Sequence, residues 1–276
     1  MSRMISNERE PATLRFVTFL SSSAYGVYEY VSQYIGEQLA RPTELSVGQS
    51  LDALTDEQVD VGFVCGLPFS LMAQHDDAPF ELLAAPVLHG KRYRGQPIYF
   101  SDIVVRRGST FTSFDTLGGC TWGYNEEISH SGWNLVCARL YKCGLTPAYF
   151  GKMIKTGSHM KSLAMVADGE LDAAAIDSHV LDIFRLHHAE QYARLRIIET
   201  LGPSGIPPVV VSKSLDGSLK REIQRIILSI HNDPHGVGVL RKGCIERFIS
   251  VTDEHYQSIR HMYMQVQASL TNANAL

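Results

Sequence analysis

The sequence predicts an α/β protein of two similar lobes with a ligand cleft between them, and three observations carry that prediction. Strand-like and helical segments alternate as βαβαβ over residues 14–64, which calls for a mainly parallel sheet flanked by helices. An internal pattern recurs: Asp56–Gly66 (DEQVDVGFVCG) parallels Asp168–Ser178 (DGELDAAAIDS), each a helix end, a polar turn, an apolar-Asp pair and a strand. No low-complexity linker separates the halves, so two crossing strands must connect them as a hinge.

Along the chain, Leu14–Leu20 reads as a buried strand, followed by the small-residue loop Ser21–Ala24 and a helix from Tyr25 to Ala40 ended by Pro42. Leu45–Val47 is a short strand. Ser50–Glu57 is a short helix, and Val59–Val64 is a third strand. Tyr99–Val105 reads as the strand that leaves the first unit, and Leu201–Gly205 as a loop-rich return followed by the strand Pro208–Val211. From Leu219 onward the pattern is helical, through Ile230 and again over Ile245–Phe248, with a last helix over Asp253–Leu270. These readings place one lobe at 14–105 plus 203–276 and the other at 106–202, with flexible ends at 1–11 and 271–276. In the repeat, Asp60 and Asp172 close the turn before each strand, and Cys65-Gly66 and Asp177-Ser178 mark the strand ends where open α/β sheets bind ligands.

Composition narrows the function. The chain has 276 residues, is 45% hydrophobic and carries a formal charge of −4 with acids and bases interspersed. It can bury a core, and it lacks the basic stripe that nucleic-acid binding requires. No apolar run approaches the ~20 residues of a membrane span. The five cysteines form no CxxC pair and the eleven histidines no metal-ligand spacing, so neither a disulfide framework, a metal nor a cofactor is expected. Met1–Pro11 is polar and charged with no apolar h-region, which reads as cytoplasmic as written, or periplasmic if a signal has been trimmed.

The chemistry concentrates at Ser129-His130-Ser131-Gly132. A short aromatic strand, Thr121–Tyr124, precedes it, and Trp133, Val136, Cys137, Leu140 and Tyr141 follow at helical spacing with Gly144 as the C′ residue. The first turn of a helix presents N–H groups without acceptors at the positive end of its dipole, so two hydroxyls and a close-approach glycine there make a seat for an oxyanion. Taken alone, the tetrapeptide reads more readily as an ordinary N-cap with nothing bound. Ser131 has no GxSxG context, which argues against a hydrolase.

Five segments in order give the chain a family. Tyr99–Val105, Phe114–Gly119, Ser129–Gly132, Gly157-Ser158-His159 and Asp168–Ala174 together resemble the phosphate/phosphite/phosphonate substrate-binding proteins of ABC importers, over roughly residues 14–265. The resemblance implies a type II periplasmic-binding-protein fold and a monomeric, non-enzymatic receptor that delivers a small oxyanion to an importer permease. The alternative is a cytoplasmic enzyme or sensor on the same fold. It further implies ligand binding by Ser129, His130, Ser131, Gly132, Tyr99 and His159, with Asp177 at the strand end; the first-lobe loop itself, Ser21 to Tyr28, offers Tyr25 and Tyr28 as aromatic walls. His130 stands where the family has threonine. Two imidazoles beside an anion predict that His130 and His159 set a pH dependence of binding.

Overall fold

The computed structural model describes residues 12–48 and 59–273. Strand β1 (Leu14–Thr18) buries Leu14, Phe16 and Val17, and Ser21 then accepts from Ser23 N to cap a 3-10 turn that opens into α1 (Tyr25–Leu39). Val27, Tyr28, Val31 and Ile35 form the buried stripe of α1 at helical spacing. The helix ends ahead of Pro42 because Ala40 turns left-handed at φ 50°, its N–H closing on the last carbonyls. Strands β2 (Thr43–Val47) and β3 (Val61–Phe63) complete the parallel set β2-β1-β3. The helix expected over Ser50–Glu57 lies outside the described residues, as do the flexible end expected at 1–11 and the last residues 274–276.

The first unit continues with α2 (Gly66–Met72) and β4 (Phe80–Leu88), and after the second unit it gains β10 (Val209–Ser212), α7 (Gly217–Ser229), α8 (Pro234–Lys242), β11 (Ile245–Ile249) and α9 (Glu254–Ala273). Its sheet has the order β11-β4-β10-β3-β1-β2. The second unit contains β5 (Ile98–Arg106), β6 (Thr121–Tyr124), α3 (Leu135–Lys142), β7 (Lys152–Lys155), α4 (His159–Asp168), β8 (Ala173–Asp177), α5 (Ser178–His187), the one-turn α6 (Ala189–Tyr192) and β9 (Leu195–Gly205). Its order is β7-β6-β8-β5-β9.

Both sheets are mixed. They are parallel in β2-β1-β3 and β7-β6-β8, and antiparallel in β3-β10-β4-β11 and β8-β5-β9. The expectation of mainly parallel sheets therefore holds for two of the five pairings in the first sheet and two of the four in the second. Pairing also shifts the lobe boundaries: β5 and β9 pair from Ile98↔Gly205 to Arg106↔Leu195 inside the second sheet, so both crossing strands belong to it rather than to the first. Leu201–Gly205 is strand, not loop. Pro203 is tolerated there because β9 is an edge, where a missing N–H costs no ladder bond. Ile245–Phe248 is likewise strand rather than helix, and α9 runs past Thr271 to Ala273.

The repeat has a structural purpose. Asp60 Oδ2 accepts from Arg15 N at 2.8 Å while its own N–H donates to Arg15 O at 2.9 Å. Asp172 does the same with Thr121, at 2.8 and 3.0 Å. Each aspartate thus pins the turn before one strand to the start of its neighbour. In the second sheet, successive residues face opposite sides: Ile103, Val105, Ala173 and Ala175 pack with Trp122 and Phe114, whereas Val104, Ala174 and Ile176 pack with Leu163, Val166 and Phe184. Helix α9 bridges the units, packing on α2 and setting Val266 against Cys137 and Ala138 of α3.

Candidate functional site

Helix starts and strand ends from both units converge on one cavity of about 500 Å³. From the second unit come Tyr99, Asn125–Glu126, Ile128–Ser131, Gly157–His159, Asp177, His179 and Val180; the first supplies the segment Phe19–Ala24, Tyr28, Cys65 and an apolar remainder.

At the centre, Ser129 caps the turn, its Oγ accepting from Gly132 N at 3.0 Å. Residues His130–Asn134 form a π-helical turn before α3, closed by Asn134 N donating to Ser129 O at 3.0 Å. The wide turn leaves its first N–H groups without helical acceptors, as at any helix start. Ser101 Oγ of β5 donates to Ser131 O at 2.7 Å and so ties the turn to a crossing strand. Ser131 Oγ lies 3.1 Å from His159 Nε2, and His159 opens α4 just after Ser158, whose hydroxyl accepts from Lys161 N. Two helix starts therefore meet at one hydroxyl–imidazole contact.

The other expected site residues divide. Tyr99 is buried on β5 with its ring 6.4 Å from that of His130, and burial drives its hydroxyl well above the usual tyrosine range. Asp177 lines the cavity and caps α5, accepting from His179 N at 2.8 Å and Val180 N at 3.4 Å. Burial pushes its carboxyl up to about 7; the two backbone bonds pull it down, and the Asp102 and Asp182 charges add to the rise.

Gly132 does not line the cavity. A Cβ there would sit 1.8 Å from Asn125 Oδ1, so this glycine admits the Asn125 carboxamide behind the turn. Tyr25 does not line it either; Tyr28 does, stacked on Phe63 at 4.6 Å. The helical phase decides between them, since Tyr28 follows the inward stripe of Val31 and Ile35. That phase was readable in the sequence.

His130 does face the cavity, but both its ring nitrogens are spoken for. Asn134 Nδ2 donates to Nδ1 at 3.1 Å, which leaves the proton on Nε2 to donate to Ser204 Oγ of β9 at 2.8 Å. Burial lowers His130 to about 3 and His159 to about 4, so both imidazoles are neutral across the physiological range. Asp177, by contrast, has its carboxyl raised to about 7.

Glu126, which lines the cavity, and Glu127 beside it pair with Lys155 Nζ at 3.5 and 2.7 Å. Among the described residues no lysine or arginine lines the cavity, so an anion there meets neutral donors only. Cys65, at a strand end the repeat had marked, lines the cavity, and burial pushes its thiol up to about 12; the sequence reading missed Asn125, His179 and the apolar wall. None of these carries a local motif.

Comparison with known proteins now decides the family. The model for the periplasmic substrate-binding proteins of ABC phosphonate transporters matches residues 16–256. The chain belongs to this family. Solved structures of phosphonate-transporter components share its architecture. A binding-protein component of an ABC phosphonate transporter from Pseudomonas aeruginosa superposes with a TM-score of 0.80 at 18% identity, covering 95% of this chain and 88% of that one. PhnD1 from Prochlorococcus marinus in complex with methylphosphonate gives 0.80 at 17% identity, covering 92% and 98%. The alkanesulfonate-binding protein SsuA from Xanthomonas axonopodis pv. citri, bound to MOPS, gives 0.59 at 16% identity, covering 97% and 93%. No curated protein sequence matches. The phosphonate-family chain thus has the type II periplasmic-binding-protein fold and is a transporter substrate-binding component rather than an enzyme, with a small ligand and an importer permease as the partners that membership implies.

Proposed function

We propose that this phosphonate-family protein captures a small tetrahedral oxyanion, phosphonate, phosphite or phosphate, at the π-helical turn. Ser129, the amides of His130 and Ser131, and the Ser131–His159 pair form the seat, with Tyr99 beside it and Asp177 across the cleft. The observation that carries this reading is the meeting of two helix starts at Ser131 and His159, 3.1 Å apart in a buried setting. His159 donates from Nε2 to Ser131 Oγ in the tautomer that frees the serine proton for the anion. His130 acts by position and through its amide, its ring being held by Ser204 and Asn134.

The lobes divide at the crossing strands, with residues 98–205 forming one and 14–97 plus the chain from 206 the other, and β5 and β9 serving as the hinge. The receptor works as a monomer, and nucleic acid is no partner. Fixed neutral donors in a shielded cleft supply the affinity, each charge-assisted bond contributing ~1.5–3 kcal/mol.

Titration calorimetry tests the seat. Replacing Ser129 and Ser131 together with Ala removes two hydroxyl donors, and the expected loss of phosphonate binding is ~2–5 kcal/mol. Unchanged affinity in the double variant would overturn the assignment.

A further inference from the structure

The two faces of the cleft differ in chemistry. The second unit presents hydroxyls, amides, imidazoles and the carboxyl groups of Asp177 and Glu126. The first presents carbon along the whole width of its sheet. Leu20 and Gly48 follow β1 and β2, Phe63 is on β3, Val209 on β10, Pro86 on β4 and Phe248 on β11, so every strand of the six-stranded sheet reaches the cavity. Six strands spaced ~4.8 Å apart span ~24 Å. At about 500 Å³ the cavity falls in the range of sites that enclose drug-sized ligands, where an inorganic oxyanion needs only the seat itself. Among the described residues, the polar groups on the apolar side are Ser21–Ser23, the buried Tyr28 hydroxyl and the Cys65 thiol, none of them charged. Lobe closure narrows such a cleft without changing which face is carbon.

We propose, resting on the oxyanion reading above, that the ligand is a monosubstituted organic oxyanion. Its head is a phosphonate or phosphate monoester at Ser129–Ser131, and its alkyl or aryl group lies against the first-sheet wall. The wall rewards apolar area removed from water, about four-fold in Kd per buried methylene. It offers nothing to a bare inorganic anion.

The experiment is calorimetry on the full chain with inorganic phosphate, methylphosphonate, n-propylphosphonate, n-hexylphosphonate and phenylphosphonate at one pH. Kd is expected to fall about 16-fold from methyl to propyl, for two methylenes, and phenylphosphonate is expected to bind more tightly than methylphosphonate. Leu20→Asn is expected to shrink the ratio of hexyl to methyl affinity. A series in which methylphosphonate binds but affinity is flat or falls with chain length overturns the apolar-group proposal alone, as does an unchanged hexyl-to-methyl ratio in Leu20→Asn. No binding by any member, methylphosphonate and phosphate included, overturns the oxyanion reading and this proposal with it.

Discussion

Among the described residues lining the cleft, Asp177 has a carboxyl raised to near neutral pH. Its carboxyl sits at about 7 because burial disfavours the carboxylate more than the N–H bonds from His179 and Val180 favour it. An anion nearby favours the protonated acid further, so binding an oxyanion takes up protons and weakens as pH rises through 7. A ligand that carries an ammonium against Asp177 reverses the sign, since it favours the carboxylate. Methylphosphonate affinity between pH 5.5 and 8.5 is therefore expected to decline with rising pH, more steeply in wild type than in Asp177→Asn. Identical profiles for the two proteins would remove Asp177 from the site. The stability linkage of the same residues runs in two directions. The raised Asp177 contributes stability that is full below about 4 and is lost as pH rises through about 7. The depressed His130 and His159 contribute stability present above the unfolded value of ~6.5 and lost as pH falls toward about 3 and about 4. Asp177→Asn should accordingly gain relative to wild type as pH rises from 5 to 8 in urea unfolding. At this scale the sequence names Ser129, Ser131, His159, Tyr99 and Asp177, all of which the fold brings to one cavity. It misplaces Tyr25, whose outward phase on α1 was readable in the sequence, and Gly132, whose contacts behind the turn depend on neighbours.

The π-helical turn is the element on which the seat depends. Its width comes from the Asn134 N to Ser129 O bond, and its entry is fixed by the Ser129 cap. Gly132 lies against Asn125 so closely that any side chain would displace the carboxamide. Gly132→Ala is expected to lower stability by ~1–3 kcal/mol, the usual cost of overpacking a tight site, and to weaken phosphonate binding as well. Thermal unfolding and calorimetry on one preparation check both; a variant unchanged in each would show that the turn accommodates a Cβ. The helix start and its C′ glycine are legible because caps are local: Gly144 does sit at φ 68°, just past α3. The strand β11 is not. Ile245, Phe248 and Ile249 fit a helical spacing as well as a strand, and only pairing with β4 decides.

Across the whole molecule, the link between the units is held by an ion pair at the hinge. Asp102 on β5 is fully buried and accepts a two-bond clamp from Arg92, at 2.8 and 2.9 Å, and a third bond from Thr200 Oγ1 of β9 at 2.7 Å. Arg92 itself comes from the turn between β4 and β5 and covers the Phe100 ring at 4.6 Å. Arg92→Met strands a buried carboxylate, and the expected cost is ~3–5 kcal/mol in urea unfolding. Adding Asp102→Leu removes the stranded charge and should return most of that loss. A single variant as stable as wild type would mean that Thr200 alone satisfies the carboxylate.

The sequence by itself determined what is written in local pattern. The βαβ alternation, the Asp60/Asp172 repeat and the capped turn at Ser129 each rest on residues close in the chain, and with the five ordered motifs they identify the family. Tertiary structure alone decided the rest. Strand β4 escaped the sequence reading because Pro86 interrupts its apolar run, and its partners β10 and β11 lie more than a hundred residues away in the chain. Pairing also assigned β5 and β9 to the second sheet, and packing gave the His130 ring to Ser204 rather than to the ligand. The apolar wall is distributed over six strands with no motif in any one of them, so it exists only once the sheet is assembled. Burial then sets which groups are charged, because the desolvation that lowers the histidines and raises Asp177 is a property of the closed-packed cleft and not of the residues that line it.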